Sequence, residues 1–325
     1  MRLSLALVLL LVGCRCAPRP SQVFVAVNGT DASTPDASTP DASTPLHTGP
    51  SCAPTCATFG NPRVLGQILD PVVELSGLVA SRSQPGVLFA HNDSGDTPRF
   101  FALSALNGGV QQEFLVQSAS NRDWEDIALG PCSSGTCLFL GDIGDNARVR
   151  TDYALYVVPE PLVTSGGVMM NVPSQKLPYE YPMAEKHNAE SLLVDPHSGR
   201  PYIVTKEPNG QPSFVYRFPM PLTPGVSATL ELVTTLTVPG LTDLQLTGAD
   251  VSPCGDAVLL RMYNRLVIQR GDGGVESALA GAPTNVPVAQ EVQGEAVAFA
   301  ADGRSYFTAS ETITDPPTLN QSLCR

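Results

Sequence analysis

A short acidic or polar motif recurs five times in this 325-residue chain, and no other feature restricts its fold as strongly. The copies are residues 74–79 (ELSGLV), 123–128 (DWEDIA), 188–193 (NAESLL), 247–252 (TGADVS) and 293–298 (QGEAVA). Their starts lie 49, 65, 59 and 46 residues apart. Such spacing is too long for one hairpin and suits a four-stranded propeller blade with variable loops. Each copy runs into an apolar strand, then a turn at 84–86, 133–135, 196–199, 253–256 or 301–303. Each of these turns carries a glycine, which supplies the left-handed backbone that tight strand connections need. Second strands follow at 87–90, 138–140, 202–204, 258–260 and 306–308, and third strands at 100–103, 155–158, 214–217 and 266–268. Outer strands are fainter, as at 113–116 and 230–238.

The fifth copy leaves room for only one more strand, near 319–323. A strand at 64–68 would complete it, because closing a ring of strands removes exposed edges. The expected fold is therefore all-β, a five-bladed β-propeller over residues 57–325 closed by an N-terminal strand. Six blades is the alternative, with the extra blade hidden in the interval 123–187 or 188–246.

The chain ahead of the ring reads as an address. Arg2 precedes an unbroken apolar run over residues 3–12, too short to span a bilayer as a mature helix. The run ends in Leu11, Val12, Gly13 and Cys14, the pattern of a bacterial lipobox. Residues 1–13 are thus expected to be a lipoprotein signal peptide, with Cys14 lipidated. Residues 14–56 form a tether in which DASTP is repeated three times; proline every fifth residue blocks helix and sheet. The expected location is the bacterial cell envelope, with the protein, a monomer, held to a membrane by lipid and facing the periplasm or exterior. Export fits the cysteines: with Cys14 lipidated seven remain, and these are read as disulfide formers in an oxidising compartment, with Cys16 the odd one left over. Cys132 and Cys137 flank a predicted hairpin turn and are expected to pair. A formal net charge of −12 excludes non-specific binding to phosphate backbones, so no nucleic-acid partner is expected.

The repeat also gathers acids. Inner strands of a propeller line its channel and start at one face, so Glu125, Glu190, Asp250 and Glu295 are expected near the axis. Asp126, Asp93, Asp142 and Asp145 are expected close by. Converging carboxylates repel one another unless protonated or bound to a cation. Outside the cell calcium is the natural cation, taking six to eight oxygen ligands. His91 and His187 fall at the same face and are candidate general bases. No H-E-x-x-H, G-x-S-x-G or phosphate-loop motif is present.

The segments 75–78 (LSGL), 91–96 (HNDSGD), 123–128, 141–146 (GDIGDN), 187–191 (HNAES), 247–252 and 294–298 (GEAVA) resemble those of secreted bacterial β-propeller proteins. More distantly, they are similar to esterase-like phytase propellers, which carry calcium. The second resemblance implies phosphate-ester hydrolysis. Two functions are therefore expected in competition. One is a lipoprotein whose acidic face binds calcium and a small-molecule or protein ligand. The other is a metal-assisted hydrolase of phosphate or carboxylic esters, with His91, His187 or a carboxylate activating water.

Overall fold

The computed structural model describes residues 53–325 apart from 165, 209, 238–244 and 313–315. The signal, Cys14, Cys16, Cys52 and the tether up to residue 52 lie outside the described residues. A first strand, β1 (Arg63–Gln67), precedes the repeat. Blade I contains β2 (Leu75–Ala80), β3 (Val87–Asn92), β4 (Arg99–Ser104) and β5 (Val110–Val116). Blade II contains β6 (Trp124–Cys132), β7 (Gly135–Asp142) and β8 (Ala154–Pro159); then β9 (Met170–Val172) crosses to blade I, and β10 (Gln175–Glu180) returns. Blade III contains β11 (Ala189–Val194), β12 (Pro201–Thr205) and β13 (Ser213–Arg217). Next come β14 (Ala228–Thr229), lent to blade II, and β15 (Glu231–Leu236), the fourth strand of blade III. Blade IV contains β16 (Leu246–Val251), β17 (Ala257–Met262) and β18 (Arg265–Arg270), then the short helix α1 (Val275–Leu279) and β19 (Thr284–Asn285). Blade V contains β20 (Gln293–Phe299), β21 (Ser305–Glu311) and β22 (Thr318–Leu323).

The described strands form five sheets in a ring, a five-bladed β-propeller. The inner strands β2, β6, β11, β16 and β20 pack in that order, and β20 meets β2 again. The two long intervals contain no sixth blade among the described residues. Their extra length goes into lent strands: β9 pairs parallel to β5, and β14 pairs parallel to β10. The strand expected at 64–68 is β1, which pairs antiparallel with β22 from Arg63 opposite Gln321 to Gln67 opposite Thr318. A disulfide between Cys56 and Cys324 lies beside this pairing, and Cys132 and Cys137 are joined as expected.

The core is divided among the interfaces between neighbouring blades. Side chains on a strand alternate between its two faces, so Leu78 packs toward blade V and Val79 toward blade II. Likewise Leu138 faces blade I, whereas Phe139 faces blade III. Both faces of each inner sheet are covered, and the strands accordingly read as continuous apolar runs rather than alternating ones. This rigid ring fixes the start of every inner strand around one mouth of the channel.

Candidate metal centre

Each inner strand carries a one-residue irregularity at its start. It falls between Leu75 and Gly77, Trp124 and Asp126, Ala189 and Ser191, Leu246 and Gly248, and Gly294 and Ala296. The residues at the five bulges are Ser76, Glu125, Glu190, Thr247 and Glu295. A bulge turns its side chain out of the regular alternation, a common device beside binding sites. The expectation grouped Asp250 with the three glutamates, but Thr247 holds the equivalent place in blade IV and Asp250 lies three residues deeper. The two bulge hydroxyls stitch neighbouring blades together. Ser76 Oγ donates to the Glu125 carbonyl at 2.6 Å, and Thr247 Oγ1 to the Gly294 carbonyl at 2.8 Å.

Carboxylate oxygens of Asp93, Asp123 and Glu125 lie within 4.8 Å of one another. Asp93 follows β3, Asp123 precedes β6, and Glu125 is the blade II bulge. Glu125 is 5% exposed, yet its carboxylate receives no hydrogen bond among the described residues. Gly144 makes this approach possible: a Cβ there would lie 2.1 Å from Glu125 Oε1 and 2.5 Å from Asp123 Oδ2. Burial, reinforced by Glu190, Asp93 and Asp123, pushes the Glu125 carboxyl well above its ordinary range. Burial also raises Asp93 to about 7, with Asp123, Glu311 and Glu190 adding repulsion. Glu295 is raised to about 9 by burial and by Glu311 and Glu190. Like charges confined in a poorly solvated mouth favour protonation or a bound cation.

Glu190 already has its cation. Lys206 Nζ donates to both Glu190 carboxylate oxygens at 2.6 Å and to the Tyr263 hydroxyl at 2.7 Å. Against the penalty of burial, Glu190 holds the ammonium above its usual range.

The other expected acids are held by the fold itself. Asp126 Oδ1 accepts the N–H of Ile127 at 2.9 Å, and its Oδ2 accepts those of Leu192 at 2.8 Å and Ala249 at 3.3 Å, tying blades II, III and IV together. Asp250 accepts the N–H of Val251 at 2.8 Å and of Phe299 at 2.7 Å, joining blades IV and V. Asp142 pairs with Arg150 at 2.7 Å and receives the Asp123 N–H. Asp145 caps its own loop, accepting the Val149 and Arg150 N–H groups and the Tyr153 hydroxyl. His91 is fully buried against Trp124, its Nδ1 bonded to the Asn92 carbonyl and its Nε2 without a partner. Burial lowers its pKa to about 4. His187 bonds Glu207 through Nδ1 at 3.0 Å, and its Nε2 lies 3.1 Å from the Tyr216 hydroxyl. Sequence reasoning missed Glu291, a buried carboxylate that pairs with the fully buried Arg261 and accepts bonds from Thr308 and Asn320. It lies outside the five motif copies, so the repeat gave no signal for it.

No known protein family matches the chain, and no curated protein does. Solved structures similar to it include the PQQ-bound form of aldose sugar dehydrogenase from Streptomyces coelicolor. That similarity has 12% sequence identity and a TM-score of 0.48, covering 83% of this chain and 100% of the other. The WD40 repeats of RRP9 show 9% identity and a TM-score of 0.42, covering 83% of this chain and 99% of the other. The five-bladed assignment rests on this chain's own strand pairings.

Proposed function

We propose that this is an exported lipoprotein, anchored to a membrane of the bacterial cell envelope through Cys14, whose propeller mouth binds calcium and, over it, a ligand or protein partner. The observation that carries the metal reading is the Glu125 carboxylate, nearly buried and without a donor, grouped with Asp93 and Asp123. Calcium–oxygen bonds of about 2.4 Å allow oxygens up to roughly 4.8 Å apart to share one ion, and the three carboxylates lie within that limit. Water and carbonyl oxygens would complete the six to eight ligands that calcium takes. Binding is preferred here to hydrolysis in which a histidine activates water, because both histidines are engaged within the protein. His91 is enclosed in the core, and His187 is bonded to Glu207 and Tyr216.

Calorimetric titration of EDTA-treated protein with calcium tests the site. Binding near one ion per chain, lost in Glu125→Gln, is expected; no heat and no change in melting temperature would refute the reading. Radiolabelled lipid incorporation that disappears in Cys14→Ala tests the anchor.

A further inference from the structure

The three bulge glutamates occupy equivalent positions and differ in what meets them. Glu125 belongs to the Asp93–Asp123 group. Glu190 is capped by Lys206, whose third donor reaches Tyr263. Glu295 is 6% exposed and receives no hydrogen bond on its carboxylate among the described residues. An ionised carboxylate in that condition is costly unless a cation meets it.

The kind of cation follows from what surrounds it. A divalent ion needs several oxygen ligands at once, and among the described residues Glu295 belongs to no group of three metal-ligating side chains. An ammonium needs less: one carboxylate and one or two further acceptors satisfy its three donors. The mouth already contains such an arrangement. At Glu190 an ammonium sits on both carboxylate oxygens at 2.6 Å, donates to a tyrosine hydroxyl at 2.7 Å and lies 4.8 Å from the centroid of that ring. Glu295 presents the same bulge geometry two blades away, and Glu311 stands opposite Gln293, two residues from Glu295, across the β20–β21 ladder.

We propose that the ligand of the mouth carries an aliphatic ammonium group that seats on Glu295, beside the metal at Asp93, Asp123 and Glu125. This rests on the reading of the mouth as a cation site and adds the chemistry of its partner: a primary amine, either a free diamine or a lysine side chain of another protein.

The test is calorimetry on the calcium-loaded, full-length mature protein. The probes are cadaverine, Nα-acetyl-lysine-N-methylamide, and the Nε-acetylated form of the latter as a neutral control. The amine probes are expected to bind and the control not. Glu295→Gln, which keeps the side-chain shape, is expected to weaken amine binding at least about tenfold, roughly 1.4 kcal/mol. Calcium affinity should change far less, since Glu295 is outside the metal group. Lys206→Met uncovers Glu190 and is expected to add a second amine per chain. A preference for the lysine amide over cadaverine assigns the ammonium to a protein partner, and the reverse to a small amine. Normal calcium binding with no amine binding at millimolar probe overturns this inference alone. Failure of both calcium and amine to bind overturns the metal reading with it.

Discussion

Gly144 shows how much of the site depends on a missing atom. Two carboxylates rest against its Cα, and no alanine fits there without moving Glu125 or Asp123. Gly144→Ala is therefore expected to weaken calcium binding about tenfold or more, read by calorimetry, because the ligand oxygens are pushed off a common centre. Nothing in the GDIGDN run distinguishes this close approach from an ordinary turn; the carboxylates come from positions about 20 residues earlier. Titration at single residues gives a second expectation. Asp93 is raised to about 7, so its contribution to stability is whole below the unfolded value of about 4 and is lost as pH rises through 7. His91 is lowered to about 4, so its contribution, about 3 kcal/mol, is whole above the unfolded value of 6.5 and is lost as pH falls toward 4. Metal-free protein should therefore be more stable near pH 6 than near pH 8. Calcium should remove the part of the alkaline loss that Asp93 causes by holding it ionised, whereas the part from Glu295, raised to about 9 and outside the metal group, should remain. Urea denaturation with EDTA and with calcium at the two pH values measures both; an equal calcium effect at both would contradict the assignment.

Among the elements, the inner strands separate binding from structure within two adjacent residues. Glu125 is the bulge and turns into the mouth; Asp126 resumes the strand and accepts three backbone N–H groups from blades II, III and IV. Asp126→Ala would leave those donors buried and unpaired, each costing about 1–3 kcal/mol. A loss of about 3 kcal/mol or more in denaturation is expected. Glu125→Gln removes a buried, repelled charge and is expected to raise metal-free stability while abolishing calcium binding. The same distinction marks where the sequence was readable. Strand positions, turns and blade number follow from apolar runs and glycines, whose local chemistry is the same in every copy. The bulge is not local, since it is defined by a partner strand, and in blade IV the residue that the sequence suggests lies three positions beyond it. Asp250 was the conspicuous acid, whereas the equivalent residue is Thr247, a hydroxyl that does the stitching Ser76 does in blade I. The lent strands β9 and β14 were also unreadable, because both are short and their partners lie in the preceding blade.

At the scale of the whole molecule, the two faces of the ring differ: one gathers the bulge carboxylates and the other receives the incoming chain. The chain enters the domain at the turn between β16 and β17, where Thr55 donates from both its N–H and its hydroxyl to Asp256. That turn follows the end of an inner strand, whereas the bulges mark the starts, so the entry is on the face away from the acidic mouth. The same entry region secures the ring. Hydrogen bonds between β1 and β22 complete blade V from the two ends of the domain, and the Cys56–Cys324 disulfide makes that closure covalent. Its two cysteines are 268 residues apart in sequence, against 5 for Cys132–Cys137. On the chain-entropy argument the long loop restricts the unfolded state by about 6 kcal/mol and the short one by about 2. The hairpin around Cys132 is also held by its own ladder, with Cys132 opposite Gly135 and Gly130 opposite Cys137. Cys324→Ser should therefore lower stability by several kcal/mol more than Cys132→Ser. Because β1 is the strand released when the clasp fails, hydrogen exchange should quicken first in β1 and β22. If exchange instead quickened evenly across all five blades, the closure would not be where the ring opens.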